Sequence, residues 1–122
     1  LAMRVIGTMI VAFVLAVTGA EARVITQVEQ GRLNSIEACS ACHQVRPEQP
    51  PKPPVHDDNY DMYVQPPSFM EIANTHGTDI EYLRKHIKEP EWPMREQWLD
   101  EEYLRDIILY IQSLKAHPNR IK

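Results

Sequence analysis

Cys39 and Cys42 stand two residues apart and His43 follows directly, in the run Cys39-Ser40-Ala41-Cys42-His43. Two thiols at this spacing can each form a thioether with one of the two vinyl groups of a single porphyrin. The adjoining histidine then lies beneath the iron, with one ring nitrogen on the metal. Other chemistries need partners that the chain does not supply. A structural zinc site takes four Cys/His ligands in spaced pairs, but the chain has only 2 cysteines, and His56, His76, His86 and His117 lack finger spacing. A thioredoxin-like pair opens a helix after a strand, and no strand run precedes this one. A plain disulfide leaves His43 without a role. The motif predicts one haem c, covalent through Cys39 and Cys42, with His43 as the proximal ligand.

A thioether sulfur, a second imidazole or an open position can complete the iron's coordination, and the choice sets the chemistry. Met94 lies in Glu91-Trp92-Pro93-Met94-Arg95, Met70 inside a helical run, and Met62 in an irregular stretch only 19 residues after His43. A methionine within a helix is ordinarily core filler, which suits Met70. His86 is expected on the polar side of its helix and His76 near a helix end.

The N-terminus carries an export pattern. Met3-Arg4 is a short basic start, Val5 to Val17 is apolar apart from Gly7 and Thr8, and Ala20-Glu21-Ala22 offers a small-residue cleavage site. The apolar run is short for a bilayer span, so residues 1–22 read as a signal peptide, with no stable membrane insertion after cleavage. Residues 23–122 are then about one domain's worth of chain. The leader holds one arginine and one glutamate, so the net charge stays at −4 without it. A mildly acidic chain excludes nucleic acid and favours partners with a basic docking patch.

Helices must carry the motif. One is predicted over Ile25 to Ala38, with Val24, Val28 and Ile36 inward and Gly31 inside it at a cost of about 1 kcal/mol relative to alanine. Gln44 to Pro67, with the proline-dense run 46–54, reads as a loop of polyproline character. Ser68-Phe69-Met70-Glu71 is a capping box opening a short helix that Gly77 closes, and Thr78-Asp79-Ile80-Glu81 is a second. Ile80, Leu83 and Ile87 form one stripe. Leu104, Ile107, Ile108, Ile111 and Leu114 form another after an Asp100 cap, with Pro118 as the stop. No segment alternates like a strand, so the fold class is all-α.

With these features in order, the chain resembles the class I c-type cytochromes over nearly all of residues 23–122, and more narrowly the small single-haem cytochromes of bacterial periplasms. The resemblance rests on Gly31, eight residues before Cys39, on the CxxCH run, on the Pro93-Met94 pair, on Pro67 to Ala73 and on Tyr110 in the last helix. It implies a cytochrome c fold, in which N- and C-terminal helices cross at Gly31 against Tyr110 and loops enclose the haem. It implies Met94 as the sixth ligand. The family often has an aromatic four residues after that glycine. Ser35 stands there, which shifts the expected contact to Ile36. The resemblance also suggests a proline carbonyl about eleven residues after the histidine to orient the imidazole; Pro54 fits, with Pro53 and Pro51 close by. Arg84, Tyr63, Trp92 and Trp98 are the candidate propionate donors.

The implied function is electron transfer by one haem c with His43/Met94 ligation and no enzymatic activity. Its partners would be periplasmic or membrane redox proteins, a dehydrogenase, oxidase or reductase. The alternative is a haem protein with an open or labile sixth position that binds gases or acts as a peroxidatic enzyme.

Overall fold

The computed structural model describes residues 19–77 and 79–115. The elements are α1 (Gly19–Cys39), β1 (Val55–Asp57), β2 (Met62–Val64), α2 (Phe69–His76), α3 (Ile80–Lys88) and α4 (Glu101–Ser113). Four helices and a minimal hairpin make an all-α architecture. Residues 1–18 of the expected leader, Thr78 and Pro118 lie outside the described residues.

The helix ends follow from local chemistry. Ser68 Oγ accepts from the Glu71 backbone N–H at 3.1 Å, and Glu71 Oε2 accepts from the Ser68 N–H at 2.6 Å, closing the expected box. For α3 the cap is Asp79, whose carboxylate accepts from Tyr82 N–H at 2.9 Å. Asp100 caps α4 by accepting from Tyr103 N–H at 2.8 Å. Each cap satisfies a backbone donor that the first helical turn leaves unpaired. α1 starts six residues before the expected Ile25. Ala20 to Arg23 are good helix formers with no glycine or proline among them, so nothing local stops the helix there.

The core is built from Val45, Phe69, Ala73, Leu83, Leu104, Ile107, Ile108, Tyr110 and Ile111, all buried. The stripe of α4 is inward as its period requires, but Ile80 of α3 is exposed and only Leu83 of that stripe is buried. α4 packs chiefly on α1 and also touches α2 and α3. Gly31 is the crossing point. A Cβ placed there would sit 1.9 Å from the Asp106 carbonyl oxygen and 2.9 Å from Tyr110 Cβ. Ile36 packs at the edge of the core, and Ser35 is fully buried with its hydroxyl donating to Gly31 O at 2.6 Å. Tyr110 then ties the crossing to the chain beyond the motif, its hydroxyl donating to Val45 O at 2.7 Å.

Gly31→Ala is expected to destabilise the protein. Alanine would gain about 1 kcal/mol of helix propensity. Overpacking costs about 1–3 kcal/mol or more, and a backbone carbonyl cannot rotate out of the way as a side chain can. A net loss of about 2 kcal/mol in denaturant unfolding is expected, with stability equal to wild type as the contrary result.

The loop 44–67 is not irregular throughout. β1 and β2 pair antiparallel, with Val55 opposite Val64, His56 opposite Tyr63 and Asp57 opposite Met62. Asp57 Oδ1 accepts from the Asn59 and Tyr60 N–H groups at 2.9 and 3.3 Å, folding the turn, and Asp61 closes it at φ 47°. Aspartate tolerates this left-handed conformation better than most residues. Strands of three residues are too short to display alternation, which is why composition alone suggests only a loop.

Candidate haem site

α1 ends on Cys39, and the chain turns at once: the Cys42 and His43 N–H groups donate to Cys39 O at 3.2 and 2.9 Å. Ser40 supports the turn through its hydroxyl on Ile36 O. Both thiols are free, Cys39 half-buried and Cys42 exposed. Burial, and then the neighbouring Cys42, push the Cys39 thiol up to about 11. Redox-active CxxC pairs work with a lowered thiol pKa, so Cys39 has the opposite character. Among the described residues no group of three or more His, Cys, Asp or Glu could hold a bare metal ion.

Both cysteines and His43 line a cavity of about 750 Å³. This lies within the roughly 300–1,000 Å³ typical of cofactor sites. Phe69, Leu83, Ile107 and Ile111 give it an apolar floor from α2, α3 and α4, while Val55 to Asp57 and Val64 of the hairpin form a wall.

The His43 imidazole is held by the backbone. Its Nδ1 lies 2.7 Å from Pro67 O. A carbonyl can only accept, so Nδ1 carries the proton and Nε2 keeps its lone pair for a metal. The proline offset points to Pro54, and the structure corrects this to Pro67. The hairpin carries Pro51 to Pro54 outward and returns the chain beside the motif, where Phe69 N–H donates to Gln44 O at 2.9 Å. Phe69 also tilts against the His43 ring at 5.8 Å between centroids.

Among the described residues, Met94 is the methionine that lines the cavity, together with Pro93. It is half-buried, and its N–H donates to Glu91 O at 3.1 Å. Met70 packs against the core, and Met62 is 44% exposed on β2. The cavity also takes in His76, Tyr82 and His86. Tyr82 stacks between the two imidazoles, with ring centroids 3.8 and 3.9 Å apart. His76 ends α2 as expected. His86 does not face solvent as a polar-side residue; it is half-buried, with Nδ1 3.1 Å from Tyr82 O.

None of the four candidate propionate donors lines the cavity. Arg84, with Lys88, is engaged by Glu101. Trp92 donates its indole N–H to Asp57 Oδ2 at 2.9 Å, which holds the Asp57 carboxyl below its ordinary range. Tyr63 and Trp98 are 73% and 92% exposed. Arg95, Gln97 and His56 line the cavity instead. Arg95 adjoins Met94 in sequence, and that adjacency was the signal available for it.

The residues fit a haem. A large apolar cavity carries two thiols and an imidazole with a free nitrogen on one wall, and a thioether sulfur also borders it. The family model for cytochrome c matches residues 28–115. The chain belongs to the cytochrome c family. No curated protein and no solved structure matches the chain. Membership of the cytochrome c family brings covalent haem c and haem-based electron transfer, and the four helices with little sheet are the cytochrome c fold. Cys39, Cys42 and His43 fit its attachment motif, and all three fall inside the matched span.

Proposed function

We propose that the protein is a periplasmic, single-haem electron carrier of the class I type. Cys39 and Cys42 would hold the haem, with His43 and Met94 as axial ligands. The observation that carries this reading is that His43 and Met94 border one apolar cavity. When bound, the haem supplies a one-electron iron couple whose potential rises with a neutral, soft thioether ligand. The remaining work falls to the protein's own residues. Pro67 O fixes the His43 ring and its tautomer. The cavity floor of Phe69, Leu83, Ile107 and Ile111 keeps water from the metal's surroundings, and the Gly31 crossing holds α1, and with it the motif, against α4. Rigidity of this kind lets an electron arrive or leave with little rearrangement.

Export follows from the basic, apolar and small-residue order of residues 1–22, and among the described residues no helix is long and apolar enough to cross a membrane. The partners are redox proteins of the envelope with basic docking patches. A second reading leaves the sixth position open for gas binding or peroxidatic chemistry. It draws on the polar rings of His76, Tyr82 and His86 in the cavity wall. Spectra of the purified protein, oxidised, reduced and as the pyridine haemochrome, separate the two. The carrier should show one haem c per chain, a weak far-red sulfur-to-iron band and no carbon monoxide adduct. A five-coordinate reduced spectrum that shifts readily with carbon monoxide would favour the second reading.

A further inference from the structure

The hairpin and the Met94 loop share an outward surface that the haem cavity does not use. Tyr60 is 64% exposed, Tyr63 73% and Trp92 49%. Tyr60 meets Trp92 edge-on at 4.8 Å between centroids, and Tyr63 packs on His56 at 4.9 Å. The Trp92–Asp57 hydrogen bond fastens the loop to the hairpin. The Tyr60–Trp92 contact joins two segments distant in sequence into one aromatic patch, while the cross-strand pair His56 and Tyr63 projects to the other side of the hairpin from Asp57. Exposed aromatic clusters of this kind mark interaction sites, since tyrosine and tryptophan supply large, rigid contact area with a polar handle.

The rim of the patch is acidic. Asp58 and Asp61 flank Tyr60 in the turn, their side chains 91% and 98% exposed, and Glu91 adjoins Trp92. The two aspartates bracket His56, and Arg95 acts on Asp57, so some cationic charge is already offset on the inner side. The outermost groups stay anionic. The location matters as well: β1 and β2 line the haem cavity through Val55, His56, Asp57 and Val64, and Trp92 is followed by Pro93 and Met94. A protein seated on the patch would rest against the outer side of a cavity wall one hairpin thick.

We infer that this patch is the docking surface for a cationic redox protein, one with an apolar contact centre rimmed by lysine or arginine. The inference rests on the electron-carrier reading above. One electron passes from the reduced protein to the oxidised one, with no bond made or broken and no proton moved. The acidic rim steers the encounter, and the rings supply the short-lived contact.

The test is electron exchange between the haem-loaded protein and a lysine-rimmed cytochrome of net positive charge, with ferricyanide as a small anionic comparison. Asp58→Asn/Asp61→Asn removes two charges while keeping a residue at position 61 that tolerates positive φ. Glu81→Gln/Glu102→Gln removes the same charge from α3 and α4. At low ionic strength the first pair should slow exchange with the cationic protein about three- to tenfold, and the second less than about twofold. Tyr60→Ala should slow it at high salt too and leave the ferricyanide rate unchanged. The far-red band should match wild type in every variant, and the exchange rates are compared at equal driving force, since Asp58 and Asp61 hold His56 on the cavity wall. Hairpin variants no slower than the control pair, or a wild type that prefers an anionic protein, would overturn the docking surface alone. Negligible exchange by the wild type with every reagent, together with avid carbon monoxide binding, would overturn the carrier reading and this inference with it.

Discussion

Cys39→Ser combined with Cys42→Ser is expected to leave a protein without haem that no longer melts cooperatively. The cavity that would hold the haem measures about 750 Å³. Without the haem its apolar lining, Phe69, Leu83, Ile107 and Ile111 included, would lose packing partners or face water. The chain must therefore flood the cavity or collapse around it. The segments that wall it have little to hold them in place otherwise. Of residues 44–67 only Val45 is in the buried core, and residues 89–99 contribute none. The α1–α4 crossing gives some helix a reason to persist. Circular dichroism should show reduced helix content and a broad, non-cooperative thermal transition, with rapid proteolysis of the loops. A sharply melting apoprotein with the helix content of the native protein would show that the fold stands without its cofactor.

Met94→Ala should keep the covalent haem and change the chemistry at the metal. The substitution removes the only thioether bordering the cavity among the described residues and leaves His43 with its Pro67 partner untouched. The far-red band should disappear, and the midpoint potential should fall on the order of 100 mV, within the roughly 0.8 V range over which axial ligands set haem potentials. Carbon monoxide and cyanide, which the wild type should resist, should bind quickly. Met70→Ala and Met62→Ala should leave all of these unchanged, since one side chain packs on the core and the other is largely on the surface. Retention of the band in Met94→Ala would move the ligand elsewhere. That ligand would again be a sulfur, from Met70 or Met62, whereas a wild type without the band would point to His76 or His86, which share the cavity.

Features that depend on neighbours in sequence were legible without coordinates. The CxxCH spacing is one: thiols and imidazole that act on one porphyrin must lie within a turn of each other, so the chemistry is written in five residues. The caps at Ser68 and Asp100 are another, because a side chain reaching the N–H three residues on is a local event. The stripe of α4 is likewise carried by the helical period alone. The crossing at Gly31 was legible through its offset from Cys39, and the tertiary structure supplies the cause: a Cβ there would collide with the Asp106 carbonyl.

What only the tertiary structure decided are contacts between segments far apart in the chain, above all those made by the backbone. The carbonyl that orients His43 belongs to Pro67, 24 residues on. Every residue has a carbonyl, so residue type carries no sign of which one will arrive there. The hairpin that displaces Pro54 from that role is too short to show a strand period. Arg95 and His86 reach the cavity because of how the Met94 loop and α3 settle on the core, and the amphipathic pattern of α3 alone points His86 the other way. The aromatic patch is of the same kind. Tyr60 and Trp92 are 32 residues apart, and the sequence alone points Trp92 toward the propionates and gives Tyr60 no role. The fold brings them together, and Asp57 accepts the Trp92 N–H across the two loops beside their contact.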